Sequence, residues 1–178
     1  MLKGDQTTES HEGRSHSQEK LQTMPRVLII AYGNPMRSDD GLAWHAAAAL
    51  EKKFWTPDVE IVRTHQLAPE FAETVSRCET VIFVDAAGNG PPGEIRSAQI
   101  NLLKVPPRFS HQLSPEAVVA LAHQLFGAEP CAFSITLTGA CFDHGEHLSA
   151  AVEAALPALV ASIEALIQQF LLLKAPPD

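Results

Sequence analysis

The sequence has 178 residues, of which 46% are hydrophobic and 19% are charged, a composition typical of one packed globular domain. Its formal net charge of -8 argues against nucleic acid as a partner, because phosphate binding needs basic side chains. Three cysteines are too few and too scattered for a disulfide framework or a thiolate zinc site.

The N-terminal segment differs in composition from the rest of the chain. Residues 1–23 are polar, which predicts a disordered tail and no signal peptide. Residues 24–178 are expected to form a single α/β domain. Because no leader is visible, we expect a cytoplasmic protein.

Five elements follow in the first half of the domain. A continuous apolar run at 27–31 predicts a strand buried on both faces, and an alanine-rich helix at 42–54 comes after it. A second strand is predicted at 59–64 and a short helix at 69–77. A third buried strand spans 80–84 and is followed at once by Asp85.

The second half continues the alternation of strands and helices. A polar edge strand is predicted at 94–102, and Ser114 with Pro115 starts a helix that ends near residue 126. A further strand lies at 133–138. The last helix starts at Ser149, and Pro157 is predicted to kink or restart it. Its apolar stretch contains several polar residues, so we interpret it as a helix with a broad buried face and expect no membrane contact.

This order of elements predicts an α/β fold. We expect three layers, with a mostly parallel twisted sheet of about five strands and helices on both faces. Sites in such sheets form at the carboxyl ends of strands, which directs attention to the loops at 33–41, 85–93 and 139–148.

The first of these loops reads Gly-Asn-Pro-Met-Arg-Ser-Asp-Asp-Gly over 33–41. It is neither a dinucleotide fingerprint nor a P-loop, and its two acids would repel a phosphate. We expect Asp39 to cap the helix that follows. From the residues alone, a functional role for one of the two adjacent acids, Asp39 or Asp40, is as well supported as a purely structural role.

Two further residues sit in comparable places. Asp85 follows a buried strand and is either a turn former or a site residue, whereas His111 lies in a loop where most histidines are merely exposed. If Asp40, Asp85 and His111 converge, they make an open site suited to a divalent first-row metal. The residues alone do not show that they meet.

The loop at 33–41 closely resembles the G-N-x-x-x-x-D-[DE]-G motif of the hydrogenase maturation proteases, the endopeptidases that trim the large subunit of nickel-iron hydrogenases. The apolar strand that ends in Asp85, and the Ser-His-Gln-Leu sequence around His111, match two further family motifs in the same order. The resemblance covers about 26–173. One departure is Ala43, where the family usually has glycine, and it affects packing rather than chemistry.

The resemblance implies metal-binding roles for Asp40, Asp85 and His111. It also implies that the metal is nickel, supplied by the substrate, and that the partner is the precursor of a nickel-iron hydrogenase large subunit. Cleavage near the precursor's C-terminus would release a short peptide. No serine or cysteine triad and no H-E-x-x-H motif is present, so a metal-activated water is expected, with Asp39 or Asp40 as the general base.

The other histidines are given no ligand role. His144 and His147 are expected to be exposed loop residues near the site, and His45 and His123 to lie on helix surfaces. His65 follows the second strand and lies in the right general region for the site, but it matches no motif.

Two other functions use the same residues. One is a nickel-sensing or chaperone module without cleavage activity. The other is a metallohydrolase that acts on a small molecule and holds its own metal tightly.

Overall fold

The computed structural model describes residues 24–101 and 113–172. The predicted N-terminal tail, 1–23, lies outside these ranges. Five strands form one sheet in the order β2-β1-β3-β5-β4. They are β1 (Val27–Tyr32), β2 (Val59–Thr64), β3 (Thr80–Ala87), β4 (Ile95–Gln99) and β5 (Cys131–Thr138). The first four strands in that order are parallel, and β4 is antiparallel to β5 at the edge.

Four α-helices cover the two faces of this sheet. They are α1 (Leu42–Glu51), α2 (Phe71–Ser76), α3 (Pro115–Phe126) and α4 (Ala150–Leu172). The apolar side chains of α1 and α4 form one core cluster with the sheet, and those of α2 and α3 form a second cluster on the opposite face. The predicted three-layer α/β fold is confirmed.

The central strands are buried as their composition requires. Val27, Leu28, Ile29 and Ile30 are fully buried, with alternate side chains entering the two core clusters. Ser114 caps α3 as predicted, since its hydroxyl accepts a hydrogen bond from the backbone N–H of Ala117 at 3.3 Å.

Helix α4 is long and apolar enough to cross a membrane by length and composition alone. In the structure Leu159, Ile163 and Ile167 are fully buried in the same core cluster as β1 and α1. Pro157 was predicted to kink or restart the last helix, and the restart does not occur, because α4 runs through Pro157 without a break. Pro157 and Glu153 are both exposed, so water can satisfy the Glu153 carbonyl that loses its helical partner.

Several boundaries differ from prediction, and one of them matters for the site. Strand β3 continues past Asp85 to Ala87 because β5 pairs with it as far as Thr138. Asp85 therefore lies in the paired part of β3, opposite Thr136 of β5, and not in a loop. This pairing fixes the backbone of Asp85.

Candidate active site

A cleft of about 510 Å³ opens at the carboxyl edge of the sheet. From β1 the chain passes to β2 on one side and then to β3 on the other, so the strand order reverses between β1 and β3. Sheets of this kind bind ligands at such a reversal. The cleft is lined by residues from the loops after β1 and β2, from β3, and from the start of α3: Tyr32, Gly33, Arg37, Asp40, His65, Gln66, Leu67, Asp85, Leu113, Ser114 and Pro115.

Asp40 reaches the cleft from the loop after β1. One of its carboxylate oxygens accepts a hydrogen bond from the backbone N–H of Asn34 at 2.9 Å. Gly33 has a φ of +133°, and a side chain there would place its Cβ 2.1 Å from the backbone oxygen of Asp40. Glycine at this position therefore allows the loop to close tightly around Asp40.

Asp85 enters the same cleft from β3. Burial raises the pKa of its carboxyl to about 6, and the nearby charge of Asp40 acts in the same direction. Hydrogen bonds from the backbone N–H of Ala86, at 2.7 Å, and from the Tyr32 hydroxyl partly offset that rise in pKa. The cleft thus brings two carboxylates together from neighbouring strands.

Asp39 does not cap the helix that follows it, contrary to expectation. Neither the 3-10 turn at Ser38–Gly41 nor α1 receives a side-chain cap. The carboxylate is fully buried and accepts hydrogen bonds from three backbone N–H groups in the segment after β5. These belong to Ala140 (2.7 Å), Cys141 (2.9 Å) and Ser149 (2.6 Å). The three bonds outweigh burial and lower the pKa of Asp39.

Asp39 is part of a wider junction between the loop 33–41 and the segment 139–149. The backbone N–H of Ser38 donates to the carbonyl of Gly145 at 2.7 Å, and the N–H of Gly145 donates to the carbonyl of Met36 at 2.9 Å. The Arg37 guanidinium donates to the carbonyl of Phe142 through Nε and Nη2, at 3.2 and 3.0 Å. The segment after β5 therefore supports the loop that carries Asp40, and of the two acids in that loop Asp40 alone lines the cleft.

His111 lies outside the described residues, so its ligand role stays a prediction. Leu113, two residues further on, lines the cleft. Across 24–101 and 113–172, no group of three or more His, Cys, Asp or Glu side chains could hold a metal ion. Of the three predicted ligands, the described chain places two, Asp40 and Asp85, in the cleft.

The remaining histidines divide into two groups. His45 and His123 are exposed on helices, as predicted, and His144 and His147 are exposed in the loop before α4. His65 lines the cleft, in the general region where the sequence placed it, although no role was predicted for it. The sequence signal for this location was that His65 directly follows β2, the strand that pairs with β1.

No protein-family model and no curated protein matches the chain. Among solved structures, the hydrogenase 2 maturation peptidase from Thaumarchaeota archaeon SCGC_AB-539-E09 is 26% identical, with a TM-score of 0.61, and the match covers 79% of this chain and 97% of that one. The NiFe hydrogenase maturation protease HycI from Thermococcus kodakarensis KOD1 is 23% identical, with a TM-score of 0.66 over 80% and 92% of the two chains. The hydrogenase maturating endopeptidase HybD from E. coli is 22% identical, with a TM-score of 0.66 over 81% and 93%.

The chain therefore has the fold of these peptidases along nearly their whole length. The predicted resemblance to the hydrogenase maturation proteases is confirmed at the level of the fold.

Proposed function

Because the chain combines this fold with the three motifs of the hydrogenase maturation proteases, we propose that it is an endopeptidase that processes a nickel-iron hydrogenase precursor. It removes a short C-terminal peptide from the large subunit and recognises the nickel already bound there. The observation that carries the proposal is the pair Asp40 and Asp85 in one cleft, at the reversal of strand order. The reaction takes place in the cytoplasm.

The two carboxylates suit contact with a metal that belongs to the substrate. Carboxylate oxygens bind divalent first-row metals, and two protein ligands leave positions free for ligands from the precursor. His111 is the third ligand in this proposal.

In this proposal, the nickel and the side chains of the protein have different roles in peptide hydrolysis. Nickel polarises the scissile carbonyl or acidifies a water molecule. Asp40, not Asp39, faces the reacting groups in our proposal, because both oxygens of Asp39 are already occupied by backbone N–H groups. Asp39 keeps the Asp40 loop in place.

The proposal predicts that nickel-loaded precursor is cut and nickel-free precursor is not. The metal completes the recognition site, so its removal takes away the contact with both carboxylates. The measurement is incubation of each form with the protein, followed by mass spectrometry of the products. Equal cleavage of the two forms would rule out recognition of nickel, and binding of the loaded form without any cleavage would favour a nickel-sensing module.

The free protein should bind added nickel, and its affinity should fall as the pH drops from 7 to 5.5. Asp85 must be deprotonated to act as a ligand, and its pKa is raised to about 6. Protonation of this one group lowers the affinity by about threefold or more over that range. Calorimetry at the two pH values measures the change, with Asp85→Asn as the control that should lose both the binding and its pH dependence. Stoichiometric metal that survives chelation would instead favour a small-molecule metallohydrolase.

A further inference from the structure

His65 occupies a place in the cleft that none of the three motifs assigns. It is the first residue after β2, and its exposed side chain lines the same cleft as Asp40 and Asp85. Because β2 and β3 both pair with β1, three adjacent parallel strands contribute side chains to one opening. The imidazole therefore reaches the cleft from the side opposite to β3.

The position of the imidazole is fixed by a neighbouring ring. The centroids of the His65 and Trp44 rings are 5.4 Å apart, with an angle of 57° between the ring planes. Trp44 is itself anchored, since its indole N–H donates to the carbonyl of Gly33 at 3.0 Å. His65 thus packs against a ring that is anchored to Gly33, the glycine at which the loop closes around Asp40.

Cleavage of a peptide bond requires a proton donor as well as an activated water. The departing amine is a poor leaving group unless its nitrogen gains a proton as the bond breaks, and a positioned acid speeds such a step by about 10² to 10⁴-fold. Imidazole is the side chain best suited to this exchange near neutral pH.

The other described side chains of the cleft are poorly suited to donate that proton. The Arg37 guanidinium does not release a proton in proteins. Burial raises the pKa of Tyr32 far above its usual range, and its hydroxyl is bonded to Asp85. The hydroxyl of Ser114 caps α3, and both carboxylates are assigned to the metal.

We infer that His65 is a further catalytic residue of this cleft, the acid that protonates the nitrogen of the departing peptide. The inference rests on the proposed endopeptidase function. The oxygen of water bonds to the scissile carbonyl carbon, and the water loses one proton to solvent. The carbon–nitrogen bond then breaks, its electron pair stays on nitrogen, and the nitrogen takes a proton from the His65 imidazolium. Exchange with solvent restores the imidazolium.

Three charged groups line the cleft together with His65: Asp40, Asp85 and Arg37. The Arg37 guanidinium directs two of its N–H groups to the carbonyl of Phe142. Since the imidazolium must be present, the rate should fall on the alkaline side of the pH–rate profile.

The test compares the full-length protein with its His65→Gln variant on nickel-loaded precursor. Glutamine keeps a hydrogen-bonding group but cannot transfer the proton. We expect kcat to fall about 100-fold or more, KM to stay within about twofold, and the alkaline limb of the profile to disappear. Added imidazole should restore part of the rate of His65→Ala, which a purely structural role would not allow. The matched control is His45→Gln, an exposed histidine on α1 that does not line the cleft.

The possible results are distinct. A wild-type kcat in His65→Gln, a rise in KM alone, or an equal loss in His45→Gln would overturn the role of His65 while leaving the endopeptidase function in place. Absence of cleavage by the unaltered protein would overturn the proposed function and this inference together.

Discussion

Replacing Asp40 or Asp85 by asparagine should abolish cleavage of the nickel-loaded precursor while the protein stays folded. Each change removes a negatively charged metal ligand, and metal contacts contribute several kcal/mol to the stabilisation of such transition states. A loss of that size lowers the rate by about 10² to 10³-fold or more. His111→Ala is expected to have the same effect for the same reason.

The fold should tolerate both asparagine variants. Asparagine at position 40 keeps an oxygen that can accept the N–H of Asn34. At position 85 the raised pKa means that burial of the charge costs folding free energy at neutral pH, so a neutral side chain leaves stability unchanged or higher. Product mass measures cleavage and urea unfolding measures stability. The matched control is Asp143→Asn, an exposed carboxylate that does not line the cleft. Near-wild-type cleavage by either variant would remove that residue from the site.

Replacing Asp39 by alanine should destabilise the protein strongly. The carboxylate is the acceptor for three part-buried backbone N–H groups, and a buried donor left without a partner costs about 1–3 kcal/mol. Because Ala140 is exposed, water can replace part of the lost bonding, and a loss of about 2 kcal/mol is expected. Urea denaturation of Asp39→Ala, Asp39→Asn and Asp143→Ala measures the effect. Asparagine should cost less than alanine because it keeps one acceptor oxygen, and Asp143→Ala should change stability by under about 0.5 kcal/mol.

The same residue should leave a signature in the pH dependence of stability. The pKa of Asp39 is lowered in the folded protein, so its contribution is complete above the pKa of an unfolded aspartate and is lost as the pH falls through the folded pKa. Unfolding free energies measured on acidification should therefore fall more steeply for the unaltered protein than for Asp39→Asn. Parallel curves would show that the three hydrogen bonds contribute little.

The sequence predicted the sheet well because its strands carry strong local signals. The runs at 27–31 and 80–84 are apolar on both faces, as only a central strand of a parallel sheet requires, and the polar run near 95–99 is the antiparallel edge. Alternation of strands with helices then led to the three layers. The end of β3 was missed because its last residues are held by β5, a partner more than 40 residues away in the chain.

The sequence predicted those site residues whose position follows from the loop that carries them. It did not predict the roles that depend on tertiary contacts. Asp40 and Asp85 share a cleft because strand ends meet at one edge of a sheet, a rule that needs no coordinates. Asp39 is adjacent to Asp40, yet its bonds go to Ala140, Cys141 and Ser149, about a hundred residues away. Local sequence favours a helix cap for such a residue, and long-range backbone donors override that preference. No role was predicted for His65 because its role depends on Trp44, a ring contact that no local pattern encodes.

The indole of Trp44, which lies next to the cleft residue His65, can serve as an intrinsic fluorescent probe of the cleft. The chain has two tryptophans, and they differ sharply: Trp55 is 93% exposed, whereas Trp44 is half-buried with its N–H bonded and its ring against His65. In a Trp55→Phe background all indole fluorescence would originate next to the cleft. Emission from Trp44 would then respond to a peptide that enters the cleft or to a change of charge on the adjacent imidazole, which allows occupancy to be followed in real time without any added label.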